Sequence, residues 1–227
     1  MADQEVKRRL AAILAADVAG YTRLMEEDTD GTVAAWKAAR ENVIEPVIGD
    51  HSGLIIKFTG DGFLVEFSSV LDAVTCAIQL QESLAASTLD FRMGINLGDI
   101  VDDGNDIHGE GVNIAARIEG LAEPGGICIS GSVHEQVRNR LDHQFDDRGE
   151  VEVKNVSDPI RVFHVLSKGE VPTAQPRQSS SKRIAAIAAV GLLVLIGGIA
   201  WWQSQKPDSE AVNVTQKGNI KPSVAVL

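Results

Sequence analysis

Residues 54–67, LIIKFTGDGFLVEF, constrain the fold more than any other stretch, because they have the composition of two short strands joined by a tight turn. The first arm is apolar apart from Lys57, and apolar side chains alternate along the second arm. Asp61 lies between Gly60 and Gly62, which permit the positive φ angles of a hairpin turn and the close approach of a ligand to the backbone. An Asp between glycines is most often only a turn residue, so this stretch alone predicts a hairpin and leaves the role of Asp61 open.

The composition indicates a folded, acidic protein. The chain has 227 residues, of which 44% are hydrophobic and 23% charged, enough for one ordinary domain and a smaller segment. Its net charge of -11 argues against a nucleic-acid partner, because an acidic surface repels a phosphate backbone. Cys76 and Cys128 lie far apart in apolar stretches, which predicts two buried thiols in a reducing compartment rather than a disulfide or a metal pair.

The N-terminal stretch imitates a secretory signal, since basic residues precede an apolar run at residues 10–16. The run ends at Asp17 rather than at an uncharged cleavage site, so we interpret it as a buried strand that carries Asp17 at its end. A signal peptide is the alternative interpretation.

The rest of the N-terminal part alternates between helices and strands. Apolar side chains at three- and four-residue spacing predict helices at residues 29–48, 69–86, 112–121 and 133–141. Apolar and alternating runs predict strands at residues 89–100 and 127–130, and two more within 149–165. An α+β fold, with an open mixed sheet and helices largely on one face, accommodates this order best.

Beyond residue 168 the composition changes twice. Residues 169–183 are rich in Pro, Gln and Ser and predict a linker. Residues 184–202 carry no charge and would form a helix about 28 Å long, close to the hydrocarbon thickness of a bilayer. Basic residues precede this segment, which predicts a single-pass helix in the inner or plasma membrane, a cytoplasmic N-terminal domain and a short extracytoplasmic tail at residues 203–227. A buried core helix is the alternative.

The polar residues suggest a site for metal and phosphate. Asp17 and Asp61 each end a predicted strand, and two converging carboxylates without His or Cys suit Mg²⁺, which takes one or two carboxylates together with substrate phosphates. Asn113 and Arg117 lie four residues apart on one side of a predicted helix, where a planar guanidinium suits a phosphate. A solvated helix face is the alternative interpretation of that pair.

Residues 8–168 resemble the catalytic domain of class III nucleotidyl cyclases, and more narrowly the bacterial, membrane-anchored adenylate cyclases. The stretches that carry the resemblance, in order, are LAADVAGYT, KFTGDGF, DIHGEGVNIAAR, ICIS and VEVKNVSDPIRVFHV. The resemblance implies a catalytic domain over residues 1–168 with a palm-like, ferredoxin-like sheet. It also implies conversion of ATP into cyclic AMP and pyrophosphate, for second-messenger signalling, with two Mg²⁺ or Mn²⁺ ions per site.

The resemblance assigns roles to single residues. Asp17 and Asp61 match the ligands of the two metal ions, helped by the backbone carbonyl of Val18. Lys57 and Asp106 match the pair that reads the adenine edge, in which the Lys donates to N1 and the Asp accepts from N6. Guanylate cyclases of the family have other residues at these two places, and guanine would present the reverse pattern of donors and acceptors.

The remaining roles belong to Asn113, Arg117 and Lys154. Asn113 matches the residue that orients the ribose, Arg117 the residue that stabilises the transferring phosphate, and Lys154 a triphosphate-binding lysine. In the family the metal carboxylates come from one domain and the base, ribose and phosphate groups from its partner, which implies a head-to-tail homodimer with two equivalent sites.

Two departures and two alternatives accompany the resemblance. Asp99 stands near the place where some members have a second phosphate-binding arginine. The C-terminal IKPSVAVL resembles the start of a further domain, which implies a truncated chain. A guanylate cyclase is the alternative within the same chemistry, and a nucleotide-binding regulatory or scaffold domain without turnover is the alternative from another class.

Overall fold

A computed structural model describes residues 7–104, 106–152 and 158–167 of the chain. The strands within these residues are β1 Lys7–Val18, β2 Leu54–Thr59, β3 Gly62–Phe67, β4 Phe91–Asp102, β5 Ile107–His108, β6 Ile127–Ser130, β7 Phe145–Val151 and β8 Ile160–Val165. The helices are α1 Tyr21–Glu27, α2 Thr29–Ala39, α3 Glu45–Asp50, α4 Val70–Leu84, α5 Glu110–Glu119 and α6 Gly131–Val137, with a π-helical segment Arg40–Ile44 between α2 and α3. The predicted α+β order is confirmed, and α1 is a helix that the sequence patterns did not indicate.

The described strands form one mixed sheet in the order β2-β3-β1-β4-β6-β8-β7, with β5 paired to β4. β4 and β6 are parallel, and the other neighbouring strands are antiparallel. β1 lies between β3 and β4, and its residues 11–16 are all buried. A strand covered on both faces needs a continuous apolar run, which explains why this stretch imitates a signal peptide.

Helices cover both faces of the sheet. The buried even-numbered residues of β1 belong to the main core, together with residues of α2, α3, α4 and α6. Ile13 and the other buried odd-numbered residues of β1 pack instead with Ala115 of α5. Side chains alternate between the two faces along a strand, so α5 lies on the face opposite to the other core helices. The expectation of helices over one face therefore holds for the main core but is wrong for α5, which carries Asn113 and Arg117.

The predicted helix at residues 29–48 forms with a π turn inside it. Asp28 caps α2, since its Oδ1 accepts a hydrogen bond from the Gly31 N–H at 3.0 Å. Pro46 does not end the helical stretch, because it lies in the first turn of α3. A proline lacks an N–H and clashes with the carbonyl four residues earlier. The wider π turn directly before α3 relieves that conflict, so the helical path continues to Asp50.

Several predictions concern residues outside the described part of the chain. These are Lys154, the linker at 169–183, the apolar segment at 184–202 and the tail at 203–227. Among the described residues, none of the helices has the length and apolar character needed to cross a membrane. The membrane helix therefore stays a prediction.

Candidate active site

Asp17 and Asp61 lie side by side at the end of β1. Asp17 pairs with Gly62 across the antiparallel β1–β3 ladder, and the next N–H along β1, that of Val18, donates to the backbone oxygen of Asp61 at 3.0 Å. Asp61 occupies the two-residue loop between β2 and β3, in which Gly60 has a φ of 60°. The predicted hairpin and the adjacency of the two aspartates are confirmed.

Gly62 is required for a reason other than its φ angle. Its φ is not positive, but a Cβ at this position would lie 2.3 Å from the backbone oxygen of Ala16. Non-bonded atoms pack at about 3.5–4 Å, so any side chain here would push the hairpin away from β1. The glycine therefore keeps the Asp61 loop against the end of the strand that carries Asp17.

Arg92 and Glu119 complete the surroundings of Asp17. Arg92, opposite Asp17 on β4, donates from Nε to Oδ1 at 2.9 Å and from Nη2 to Oδ2 at 2.5 Å. Glu119 ends α5, and its Oε1 lies 3.5 Å from the Arg92 Nε. The hydrogen bond to Asp17 raises the pKa of Arg92. Burial, followed by the hydrogen bond and charge of Asp17, raises the pKa of Glu119 to about 8, against an opposing effect of Arg92.

The sequence patterns did not identify Arg92 or Glu119. Arg92 is one of three charged residues in β4, together with Asp99 and Asp102, and Glu119 continues an ordinary helix. The register of β1 against β4 would have placed Arg92 opposite Asp17, but that pairing joins residues 75 positions apart. A charged side chain in a buried strand nevertheless predicts an ion pair, since burying a charge requires a partner of opposite charge.

The donor chemistry of the site fits Mg²⁺ or Mn²⁺. Among the described residues no group of three or more His, Cys, Asp or Glu side chains is arranged to hold a metal ion. Mg²⁺ does not need such a group, because it binds through one or two carboxylates and completes its shell with water and substrate phosphates. Asp17, Asp61 and the Val18 carbonyl supply hard oxygen donors of this type, and their role as ligands stays a prediction.

Lys57 and Asp106 form an ion pair with 2.5 Å between Nζ and Oδ2. A β-bulge between Ile55 and Lys57 makes this contact possible. Ile55 packs in the main core and Ile56 on the α5 face, so regular alternation would return Lys57 to the main core. The bulge pairs Lys57 with Leu64, an α5-face residue, and thereby keeps both residues 56 and 57 on the side where Asp106 lies.

Both carboxylate oxygens of Asp106 are engaged. Oδ2 accepts from Lys57, and Oδ1 accepts the N–H of Ile107 at 2.8 Å. The Asp106 N–H in turn donates to Oδ1 of Asp103 at 2.9 Å. The hydrogen bond from Lys57 lowers the pKa of Asp106, so this residue is a charged acceptor at neutral pH. The structure thus brings together the two residues expected to read the base.

Helix α5 presents Asn113 and Arg117 away from the sheet. Both side chains are exposed, whereas Ala115 on the opposite side of the helix is buried. The helix lies very close to β4, because a Cβ on Gly94 would be 2.1 Å from the Glu119 nitrogen. Within the described residues, no hydrogen bond or ion pair connects Asn113 or Arg117 with either metal-site aspartate.

Comparison with known proteins places this arrangement in a family. Residues 5–167 match the model of the adenylate and guanylate cyclase catalytic domain. The chain belongs to this cyclase family. Its cyclase domain is 48% identical over 171 residues to putative adenylate cyclase 3 of Rhizobium meliloti, a match that covers 72% of this chain and 29% of the relative. The chain thus spans less than a third of the length of that curated relative.

Solved structures agree with the cyclase fold. The crystal structure of an adenylate/guanylate cyclase/hydrolase from Silicibacter pomeroyi is 41% identical, with a TM-score of 0.68 over 72% of this chain and 99% of that one. The adenylyl cyclase CyaB from P. aeruginosa is 25% identical, with a TM-score of 0.64 over 72% of this chain and 96% of that one. The family includes enzymes for both bases, so the choice of base depends on particular residues of the cyclase domain.

Proposed function

We propose that the cyclase domain converts ATP into 3′,5′-cyclic AMP and pyrophosphate. The observation that carries the proposal is the Lys57–Asp106 ion pair at 2.5 Å, on the α5 face of the sheet. Adenine presents an acceptor at N1 and a donor at N6, which a Lys donor and an Asp acceptor match. Guanine would place its N1 hydrogen against the Lys and its O6 against the Asp. Membership of the cyclase family and the relatives named as adenylate cyclases support the same substrate.

The reaction is an intramolecular transfer of the α-phosphoryl group. The ribose 3′ oxygen loses its proton and bonds to the α-phosphorus, the bond from that phosphorus to the oxygen of the β-phosphate breaks, and pyrophosphate leaves. Metal ions bound at Asp17 and Asp61 would lower the pKa of the 3′ hydroxyl and neutralise the charge that develops on the phosphates. Asn113 orients the ribose, and Arg117 stabilises the charge on the transferring phosphate. Lys154 binds the triphosphate. Positioning and electrostatic stabilisation supply most of the rate acceleration in such a site.

The base assignment is tested by steady-state assays with ATP and GTP in the presence of Mg²⁺ or Mn²⁺. We expect ATP to be the better substrate and Asp106→Ala to reduce its turnover and weaken the preference over GTP. Glu82→Ala is the matched control, because Glu82 is an exposed carboxylate on α4, on the other face of the sheet. Unchanged ATP kinetics in Asp106→Ala would contradict the role of Asp106 in recognising the base. A preference for GTP would favour a guanylate cyclase, and no turnover of either nucleotide would favour a regulatory domain.

We also propose that two chains form a head-to-tail homodimer in which each site combines the aspartates of one chain with Asn113 and Arg117 of the other. Asn113 and Arg117 are exposed on α5 and, among the described residues, make no hydrogen bond or ion pair with the aspartates of the same chain, which supports this arrangement. A dimer of this kind with two-fold symmetry contains two equivalent sites.

Complementation tests the dimer. Asp61→Ala and Arg117→Ala chains should each be inactive alone, because each damages both sites of its homodimer. In an equal mixture, half of the dimers would be heterodimers with one whole site, so we expect about a quarter of the wild-type activity. A confirmed heterodimer without recovered activity would contradict the shared site.

Membrane anchoring is a further part of the proposal. The uncharged segment at residues 184–202 and the basic residues before it support a single-pass helix in the inner or plasma membrane, with the cyclase domain in the cytoplasm. Fractionation of cells that express the chain tests this. The chain should remain in the membrane pellet after a high-salt wash, and a chain without residues 184–202 should not. Recovery of the complete chain in the soluble fraction would contradict the anchor.

A further inference from the structure

Arg92 occupies both oxygens of the aspartate that is expected to bind metal. Its Nε–H and Nη2–H groups donate to the two Asp17 oxygens at 2.9 and 2.5 Å. A divalent cation that binds Asp17 needs the lone pairs of the same oxygens. The guanidinium and the cation therefore compete, and the positive charge of Arg92 also repels the cation directly.

Glu119 offers Arg92 a second acceptor. Its Oε1 is buried and accepts no hydrogen bond from any described residue, yet it lies 3.5 Å from the Arg92 Nε. The hydrogen bond that Glu119 shares with Asp17 leaves this oxygen without a donor, and a buried carboxyl oxygen without a hydrogen bond is costly. The end of α5 holds it there, because Gly94 allows the helix backbone to approach β4 directly under Glu119.

We propose that Arg92 is a positioning residue that holds Asp17 in the empty site and passes its Nε–H bond to Glu119 when a divalent cation binds Asp17. The proposal rests on the metal site described under the proposed function. In this scheme the unsatisfied Glu119 oxygen accepts the Arg92 Nε–H after that group has left Asp17. The exchange needs a shift of well under 1 Å, from 3.5 Å to the usual length of about 2.9 Å.

The exchange keeps the guanidinium paired in both states. A guanidinium that lost Asp17 and found no other acceptor would be left as a poorly solvated charge, and breaking such a pair is strongly unfavourable. Glu119 removes that penalty and so makes cation binding at Asp17 easier. The expected consequence is that Glu119 favours metal binding only while Arg92 is present.

The experiment measures Mn²⁺ affinity by electron paramagnetic resonance, using the full chain solubilised in detergent and no nucleotide. Arg92→Met should bind Mn²⁺ about tenfold more tightly, because the competing charge is gone. Glu119→Leu, which removes the second acceptor, should bind about tenfold more weakly. Glu119→Gln, which keeps an acceptor oxygen, should restore most of that affinity.

The double variant Arg92→Met/Glu119→Leu decides the mechanism. It should bind Mn²⁺ at least as tightly as Arg92→Met alone, since Glu119 would favour the cation only through Arg92, whereas its own hydrogen bond with Asp17 competes with the cation. An equal loss from Glu119→Leu in both backgrounds would overturn the proposal, because Glu119 would then act on the metal by its own charge. If Arg92→Met fails to fold, equal affinities of Glu119→Gln and Glu119→Leu would overturn it instead.

Two controls separate this inference from the proposed function. Arg8→Gln removes an exposed positive charge from the same strand, nine residues before Asp17 and so about 30 Å away, and should leave Mn²⁺ affinity unchanged. Asp61→Asn should abolish tight binding. If Asp61→Asn binds Mn²⁺ like the wild type, the proposed metal site itself is wrong. If Asp61→Asn loses tight binding but the Glu119 variants do not show the expected affinities, the metal site is supported and the exchange of the Arg92 hydrogen bond is wrong.

Discussion

Replacing Gly94 by alanine should displace helix α5 and inactivate the cyclase domain. The added Cβ would lie 2.1 Å from the backbone nitrogen of Glu119 and 2.5 Å from the backbone oxygen of Ala115. Both are main-chain atoms in a helix, so no side-chain rotation can relieve the contact. Non-bonded atoms need about 3.5 Å, which requires α5 to move by more than 1 Å.

The magnitude follows from what α5 covers. Overpacking a close-packed contact costs about 1–3 kcal/mol, and lifting the helix also loosens Ala115 and Ile118, both completely buried. The side chain of Asn96, which donates to the Gly111 backbone oxygen of α5 at 3.1 Å, would lose its buried partner. We therefore expect a loss of about 3 kcal/mol in the free energy of unfolding. A displacement of about 1 Å in α5 should also reduce kcat about 100-fold.

Urea unfolding followed by circular dichroism measures the stability, and cyclic AMP formation measures the activity. Gly49→Ala is the matched control. A Cβ on Gly49 meets nothing within 4 Å, and in helix α3 the change should stabilise the protein by about 0.5–1 kcal/mol. If Gly94→Ala changes the free energy of unfolding by less than about 0.5 kcal/mol and leaves kcat at the wild-type value, then close contact between α5 and Gly94 is not needed for stability or activity.

Three further predictions concern the main core and its edges. Burial lowers the pKa of His134, which stacks on Phe163 with 3.8 Å between ring centroids. Because the pKa of this ring is lower in the folded than in the unfolded protein, the stability that it contributes is complete above about pH 6.5 and is lost as the pH falls. The free energy of unfolding of His134→Phe, measured in urea, should therefore depend less on pH between 7.5 and 5.5. Ser69→Ala removes the side chain that caps α4 and should cost about 1 kcal/mol in the same measurement. Burial raises the pKa of Cys76 to about 12 and that of Cys128 to about 11, so both thiols should react with an aromatic disulfide reagent at pH 8 at least about 100-fold more slowly in the native protein than in urea.

Each of these predictions has a contrary outcome. An unchanged pH dependence in His134→Phe would show that protonation of this ring does not affect stability. Ser68→Ala, at an exposed neighbouring position, should have no effect, and equal losses from Ser68→Ala and Ser69→Ala would contradict the cap. Rapid reaction of either thiol in the native state would contradict its burial.

The local elements and much of the candidate site could be predicted from the sequence alone. Apolar runs and alternation predicted β1, the β2–β3 hairpin and α4, because each pattern reflects burial within a single segment. The same reasoning indicated that Asp17 and Asp61 would meet, since both end strands of one sheet, and the register confirms it. The two cysteines were expected to be buried thiols, and both are buried and free.

Three features could be recognised only once the strands and helices had been placed against each other. α5 packs on the face opposite the other core helices, the bulge before Lys57 turns that side chain toward Asp106, and Arg92 binds Asp17 beside Glu119. Each depends on cross-strand register or on helix placement; the Lys57–Asp106 and Asp17–Arg92 contacts, for example, join residues 49 and 75 positions apart. A periodicity shows which residues of one segment are buried, but not which distant segment buries them. The partners of the charged residues therefore became visible only when the strands were paired.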